Sequence, residues 1–216
     1  MRRLSHSSAN LFQKCPAAWK CHYMMGLRGE SGPAAARGSR LHLAAEKFLT
    51  GQIDNLPVDF WKISERMNRY KSMNAQVEVE VAVDKDWKPC DPGSPEAKWL
   101  SIIDILIRSP DSALIIDLKS GKPYPSHQEQ LQLYATMMMS ITAVSTAGVA
   151  ALYIDTGQSG HEKTYPREMQ PMLMKYFDEL HERISNEKDF APTPSFDSCR
   201  FCSFSARKGG SCAAGV

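Results

Sequence analysis

Several things are scarce in this sequence, and each scarcity removes a class of protein. Cysteine is one: six among 216 residues are too few for the disulfide scaffolds of small secreted proteins. Long apolar runs are missing, and stretches such as 147–154 fall far short of the roughly 20 residues that span a bilayer. The start, Met1-Arg2-Arg3-Leu4-Ser5-His6, carries charge with no apolar core behind it, so no signal peptide is expected. Charge of one sign is missing too, since 26 Lys and Arg face 24 Asp and Glu for a net +2. That balance excludes a polybasic, histone-like binder and permits a nucleic-acid partner without indicating one. No Gly-x-x-x-x-Gly-Lys-Ser/Thr segment occurs, and Ser120-Gly121-Lys122 does not replace it, so the chain is expected to carry no ATP motor. Repeats and low-complexity tracts are absent.

The remaining expectation is a cytoplasmic protein that does not enter the membrane. Hydrophobic residues at 43% and charged residues at 23% are globular values, and the length suits one domain with a sizeable core. In a reducing compartment, clustered cysteines point to a metal before a disulfide.

Ser7 or Ser8 is expected to cap a first helix carrying Leu11, Phe12 and Cys15, and 19–25 to form a second. The Gly-, Pro- and Ala-rich 26–38 reads as a loop. A helix follows over 40–49, with Leu41, Ala44, Ala45 and Phe48 on one face and Gly51 to stop it. Another is expected over 58–71, with Phe60, Ile63 and Met67 at helical spacing. The period then changes to two. Residues 76–83 alternate as a half-buried strand, with Glu78 and Glu80 on a solvated face. Strands over 99–108 and 113–119 are joined by the turn-forming Ser109-Pro110-Asp111-Ser112. A helix over 127–141, a strand over 148–154 and a helix over 167–184 complete the body, and the Pro-containing 191–198 leads to a cysteine-bearing tail. That order describes one mixed α/β domain.

The chemistry concentrates in two consecutive strands. Asp104 sits inside the apolar run Ile102 to Ile107, and Asp117 closes the run Ile115-Ile116-Asp117, two residues before Lys119. Residues i and i+2 of a strand share a face, so Asp117 and Lys119 lie together, and a hairpin brings Asp104 to them. An ionised carboxylate in an apolar strand costs several kcal/mol unless it is compensated. A Mg²⁺ or Mn²⁺ ion bridging the two aspartates would compensate it, and a lysine beside such an ion can orient an attacking water. That is equipment for phosphodiester hydrolysis. The alternative for these three residues is a strand-end ion pair beside a solvated aspartate.

Further segments bear on the choice. Leu4-Ser5 to Cys15-Pro16, Arg37-Gly38-Ser39-Arg40-Leu41-His42, Asp104, Asp117-Leu118-Lys119, Gln130-Leu131-Gln132-Leu133-Tyr134 and Cys199-Arg200-Phe201-Cys202 follow one another in that order. In this order the chain resembles the RecB-like branch of the PD-(D/E)XK nucleases, most closely its small members that carry an iron–sulfur cluster. Ile103 stands where the superfamily name has Pro, and Ser101 where the branch often has Gly. The resemblance implies a restriction-endonuclease-like α/β core, a mixed central sheet flanked by helices, with a helical N-terminal segment and a cysteine-cluster tail. It implies a single nuclease domain over 1–216: N-terminal helices over 1–36, the nuclease core over 37–190 and the cysteine segment over 191–216.

Residue by residue, it implies metal ligation by His42, Asp104, Asp117 and the Leu118 carbonyl, with Asp104, Asp117 and Lys119 catalytic. Gln130 and Tyr134, at i and i+4 on one helix face, would position the lysine or a phosphate. It also implies a [4Fe-4S] cluster held by Cys15, Cys199, Cys202 and Cys212. By themselves, Cys199 and Cys202 have a spacing that lets two thiolates grip one metal. The gap from Cys202 to Cys212 is longer than the family's usual one, with Gly209-Gly210 to supply slack; Cys21 is a possible substitute ligand and Cys90 a bystander. Four thiolates also suit zinc, the less favoured occupant.

Arg37, Arg40 and Lys122 are expected to bring DNA phosphates to the site. The activity expected is a Mg²⁺- or Mn²⁺-dependent DNA exonuclease acting on single strands or ends, in recombination, repair or phage DNA processing. A helicase, single-strand-binding or recombination protein would be its partner. The alternatives are a flap or junction endonuclease, a silent iron–sulfur nucleic-acid-binding module, and a zinc-stapled adaptor.

Overall fold

The computed structural model describes residues 3–29, 32–210 and 212–214; Met1 and Arg2 of the charged start lie outside them. The body is a sheet of five strands: β1 (Gln76–Val83), β2 (Trp99–Arg108), β3 (Ser112–Lys119), β4 (Thr146–Tyr153) and β5 (Ser159–Pro166). Their spatial order follows the sequence, β1-β2-β3-β4-β5, and only the β3–β4 pair is parallel. The crossover joining that parallel pair is helix α5 (Pro125–Ile141), as a parallel connection requires. The expected α/β core, a mixed sheet flanked by helices, is what forms.

Two apolar layers cover the sheet. On one side lie α1 (His6–Lys14), α2 (Pro16–Tyr23), α5 and α6 (Gln170–Asn186), burying Phe12, Trp19, Leu133, Met137, Phe177 and Leu180 against Trp99, Ile115 and Val149. On the other lie α3 (Pro33–Leu49), α4 (Ser64–Ser72) and the turn leading into α4, burying Leu41, Phe48, Phe60, Ile63 and Met67 against Ile105, Ile116 and Leu118. The chain start is stitched to the sheet where β2 outruns β3: Leu4 N donates to Lys98 O and Leu100 N to Leu4 O.

Local chemistry corrects the expected elements in four places. Ser5, not Ser7 or Ser8, caps α1, accepting from Ser8 N at 3.2 Å; Ser8 Oγ is occupied by the Trp19 indole. Helix α3 begins at Pro33 inside the expected loop. Proline is pre-set for a first helical position and Ala34, Ala35 and Ala36 are strong helix formers, while exposure of this turn leaves no apolar period to read. The expected helix over 58–71 is broken into a 3₁₀ turn (Val58–Phe60) and α4, both still burying the expected apolar residues. Strand β5 was not expected: an edge strand needs few apolar residues, and Ser159–Pro166 is mostly polar. At the C-terminal end, Ser195 caps the short α7 (Phe196–Arg200) and the chain turns back so that Cys212 N reaches Phe204 O.

Candidate active site

The site forms where the regular sheet fails. The β1–β2 ladder runs from Val77↔Ile105 directly to Val79↔Ile103, skipping the rung of Glu78 and Asp104. Glu78 has φ 48°, a left-handed conformation that a non-glycine residue holds only at a cost and that clusters at functional sites. The alternation changes phase there. Val79, Val81 and Ile103 pack into the α5–α6 layer, whereas Val77 and Ile105 pack into the α3–α4 layer. The β2–β3 pairing also stops at Ile105↔Ile116. Beyond it the freed Leu118 N–H donates to Asp104 Oδ2 at 2.6 Å. Three carboxylates, from Glu78, Asp104 and Asp117, therefore line up across three neighbouring strands, where like charges directly opposite repel.

His42, from α3, closes this row from the second layer. Its Nδ1 lies 3.1 Å from Asp104 Oδ1, and its Nε2 is 3.0 Å from the Leu118 carbonyl oxygen. The hydrogen bond to Asp104 raises the imidazole above its usual value against the opposing effect of burial. One donor atom each from His42, Glu78 and Asp104 lies within 4.8 Å of the others. Lys119 closes the row from the other side. Its ammonium is 2.7 Å from Asp117 Oδ2 and donates to Gln130 Oε1 at 2.8 Å; Gln130 Nε2 donates to Tyr134 OH at 2.6 Å. Gln130 and Tyr134 share a face of α5, which holds Lys119 through one continuous relay.

Asp117 is the strained member. Its side chain is 3% exposed. Burial first, then the neighbouring Asp104 charge, push it up to about 6 despite the pull of Lys119. Its Oδ2 has the ammonium as ion-pair partner and no aligned hydrogen-bond donor. Glu78 is raised for the same two reasons, burial and Asp104. The chain's residues thus present carboxylate oxygens, one carbonyl and one imidazole around a point with surplus negative charge. That donor set suits Mg²⁺ or Mn²⁺, and a cation there would remove the repulsion. Glu78 extends the sequence reading: it keeps a solvent-facing side as expected and also joins the cluster. It also borders, with Glu46, Gly38 and His42, a hollow of about 390 Å³ opening to solvent.

The three expected phosphate-binding cations divide. Arg40 and Lys122 are exposed. The Arg37 guanidinium is committed to the protein: 3.0 Å to Asp59 Oδ1, 2.7 and 3.1 Å to the two oxygens of Asp155, and 3.2 Å to the Ser120 carbonyl. It braces the residue that follows Lys119.

The other side of Lys119 opens into a cleft of about 970 Å³ that reaches Cys15, Cys21, Cys199, Cys202 and Cys212. Burial, then the nearby Cys212, Cys202 and Cys15, raise the Cys21 thiol. The chain's two ends therefore bring five thiols to one cleft, while Cys90 lies in the turn after β1 and pairs its N–H with Ala82 O. Among the described residues, the sulfurs do not form a ligand group within 4.8 Å of one another. Two histidines that sequence reasoning did not single out line the same cleft. His6 and His127 are each lowered to about 4, by burial first and then by Lys119.

Comparison with known proteins gives the family. The family model described as the PD-(D/E)XK nuclease superfamily matches residues 3–207. Among solved structures, that titled crystal structure of SSO0001 is similar at a TM-score of 0.56 and 19% identity, over 100% of this chain and 88% of that one; at that identity the likeness concerns the fold. The alkaline exonuclease LHK-Exo from Laribacter hongkongensis scores 0.39 at 17% identity, over 85% and 90% of the two chains. The same enzyme in complex with dAMP scores 0.41 at 16% identity, over 84% and 89%. No curated protein matches the chain.

Proposed function

Because the chain belongs to the PD-(D/E)XK nuclease superfamily, we propose that it is a divalent-metal-dependent DNA exonuclease of the RecB-like, iron–sulfur-bearing kind. It would act on single strands or ends in recombination, repair or phage DNA processing, as one domain over 1–216. The observation that carries the reading is the row of Glu78, Asp104 and Asp117 closed by His42 on one side and Lys119 on the other. A fold that kept this scaffold only to bind DNA would gain nothing from three mutually repelling carboxylates in its sheet.

His42, Asp104, Asp117 and the Leu118 carbonyl would hold Mg²⁺ or Mn²⁺, with Glu78 as a further oxygen donor. When bound, such an ion neutralises charge on the scissile phosphate and acidifies a water. The protein's own part is positioning. Tyr134 and Gln130 fix the Lys119 ammonium through hydrogen bonds of 2.6 and 2.8 Å, so it meets the attacking water or the phosphate without first being ordered. Asp117, ionised above about pH 6, holds Lys119 from the opposite side. Arg40 and Lys122 would contact flanking phosphates. Cys15, Cys199, Cys202 and Cys212 would bind a [4Fe-4S] cluster, with Cys21 near enough to replace one ligand and zinc the less favoured occupant. Because these cysteines come from the α1–α2 segment and from the tail after α6, a shared metal group would tie those two segments together beside Lys119.

The test is digestion of linear single-stranded DNA, end-labelled at either terminus, alongside covalently closed circles of the same sequence, with Mn²⁺ under anaerobic conditions. Degradation of the linear strand alone supports an end-dependent exonuclease. Cutting of circles replaces it by an endonuclease. Binding without digestion of either removes the catalytic reading.

A further inference from the structure

An exposed apolar turn precedes α4. The 3₁₀ turn Val58–Phe60 and the residue after it bury Phe60 and leave Val58 82% and Trp61 68% exposed. The other three tryptophans, Trp19, Trp87 and Trp99, are all buried, so Trp61 is the one indole presented to solvent. It is also held in place. The Lys62 ammonium lies over its ring at 5.4 Å from the centroid and donates to the Asp155 carbonyl at 2.7 Å. Arg37 joins this turn to the catalytic strand: the guanidinium that grips Asp59, between Val58 and Trp61, also holds the carbonyl of Ser120, the residue after Lys119. Asp155 lies just beyond Ile154, whose N–H donates to Lys119 O.

The charge around the turn favours a polyanion. The two carboxylates at its border, Asp59 and Asp155, are both paired with Arg37. Arg40 lies close enough to help lower the Asp59 carboxyl, is exposed, and has no ion-pair partner among the described residues. Lys62 is exposed and its hydrogen bond to a backbone carbonyl leaves its charge uncompensated. A solvent-facing indole beside Lys62, in a turn whose Asp59 is within the influence of Arg40, suits a single strand, with bases stacking on the ring and phosphates on the cations.

We propose that Trp61, with Val58 beside it, is a stacking platform for an unpaired base of the DNA strand leading to the Lys119 site. This rests on the nuclease reading above and extends it to substrate recognition. The occupant is a single strand; a second copy of this chain is the competing occupant.

The test uses the full chain in EDTA, titrated with a short oligothymidylate and followed by tryptophan emission and by the anisotropy of labelled DNA. The long-wavelength emission of Trp61 is expected to be quenched as DNA binds. Trp61→Phe keeps a stacking ring, so it should bind within about twofold of the parent, and its remaining buried tryptophans should not respond. Trp61→Ala should bind about five- to 150-fold more weakly, the range expected for one lost base–aromatic stack. An exposed side chain leaves both variants folded, which circular dichroism checks. Equal binding by Trp61→Ala and the parent, with unchanged emission, overturns the proposal. So does a blue shift of Trp61 that follows protein concentration instead of DNA, which assigns the turn to self-association. Mn²⁺-dependent digestion by the parent is measured in parallel. If digestion persists while Trp61 is indifferent to DNA, only the platform is wrong; if there is no digestion, the nuclease reading itself fails.

Discussion

Asp117→Asn should stabilise the protein while silencing it. The parent carboxyl, ordinarily near 3.8, is pushed up to about 6 in the fold, so ionising it costs the folded state about 3 kcal/mol more than it costs the unfolded chain. The sign follows from proton binding. Between pH 4 and 6 the folded protein holds this proton more tightly than the unfolded chain, so parent stability falls as pH rises through that window and is flat above it. An asparagine carries no such cost. In urea unfolding with EDTA, the variant should match the parent near pH 4 and exceed it at pH 8 by up to about 3 kcal/mol. For a chain of this length that is roughly 6–12 °C in Tm. Mn²⁺ should then reverse the order: at 1,000 times its Kd it adds about 4.1 kcal/mol to the parent and much less to the variant, which has lost a ligand. A variant less stable than the parent at pH 8 without metal, or a difference that does not change with pH, would refute the account of a strained carboxylate row.

Three further outcomes follow from the same geometry. Gln130→Leu cuts the relay from Tyr134 to Lys119, and misplacing the lysine should lower kcat on the order of 10²-fold, with Mn²⁺ affinity by calorimetry unchanged; a lost metal site instead would show that Gln130 supports the ligands. His6 is buried and lowered to about 4, so its neutral state is lost to the unfolded chain as pH falls from 6.5 to 4. His6→Gln should therefore spare about 3 kcal/mol of acid destabilisation, read as a smaller loss of urea stability across that window; equal losses would contradict it. Cys199→Ser should abolish the visible absorption and iron content of anaerobically purified protein, whereas Cys90→Ser should leave both intact; iron surviving Cys199→Ser would remove that cysteine from the ligand set.

The sequence made the centre of the site readable because its chemistry is local. Asp117 and Lys119 share a strand face and read directly from their spacing; Gln130 and Tyr134 share a helix face, but the expectation that they position the lysine rests on the family resemblance, since each alone reads as an ordinary residue. Asp104 was legible as an uncompensated charge in an apolar run. Glu78 was not. Period-two alternation assigns it to a solvated face, and only the backbone reversal at φ 48°, on the skipped rung opposite Asp104, turns it into the cluster. Arg37 looked like a phosphate ligand because its partners Asp59 and Asp155 come from distant segments that no local pattern connects. Polarity alone hid β5 as an edge strand. Alanines and Pro33 hid the first turns of α3, which are too exposed to show an apolar period. Trp61 was masked by a helix expected to be continuous over 58–71, where the chain in fact breaks into a turn that presents it.

The most direct measurement is single-turnover cleavage of a labelled linear DNA strand by the parent and by Lys119→Ala, each with Mn²⁺ and with EDTA. The account predicts cleavage by the parent only in Mn²⁺ and none by the variant, with DNA binding retained in both. Cleavage that survives in EDTA, or in Lys119→Ala at the parent's rate, would place the chemistry elsewhere in the molecule and contradict the account.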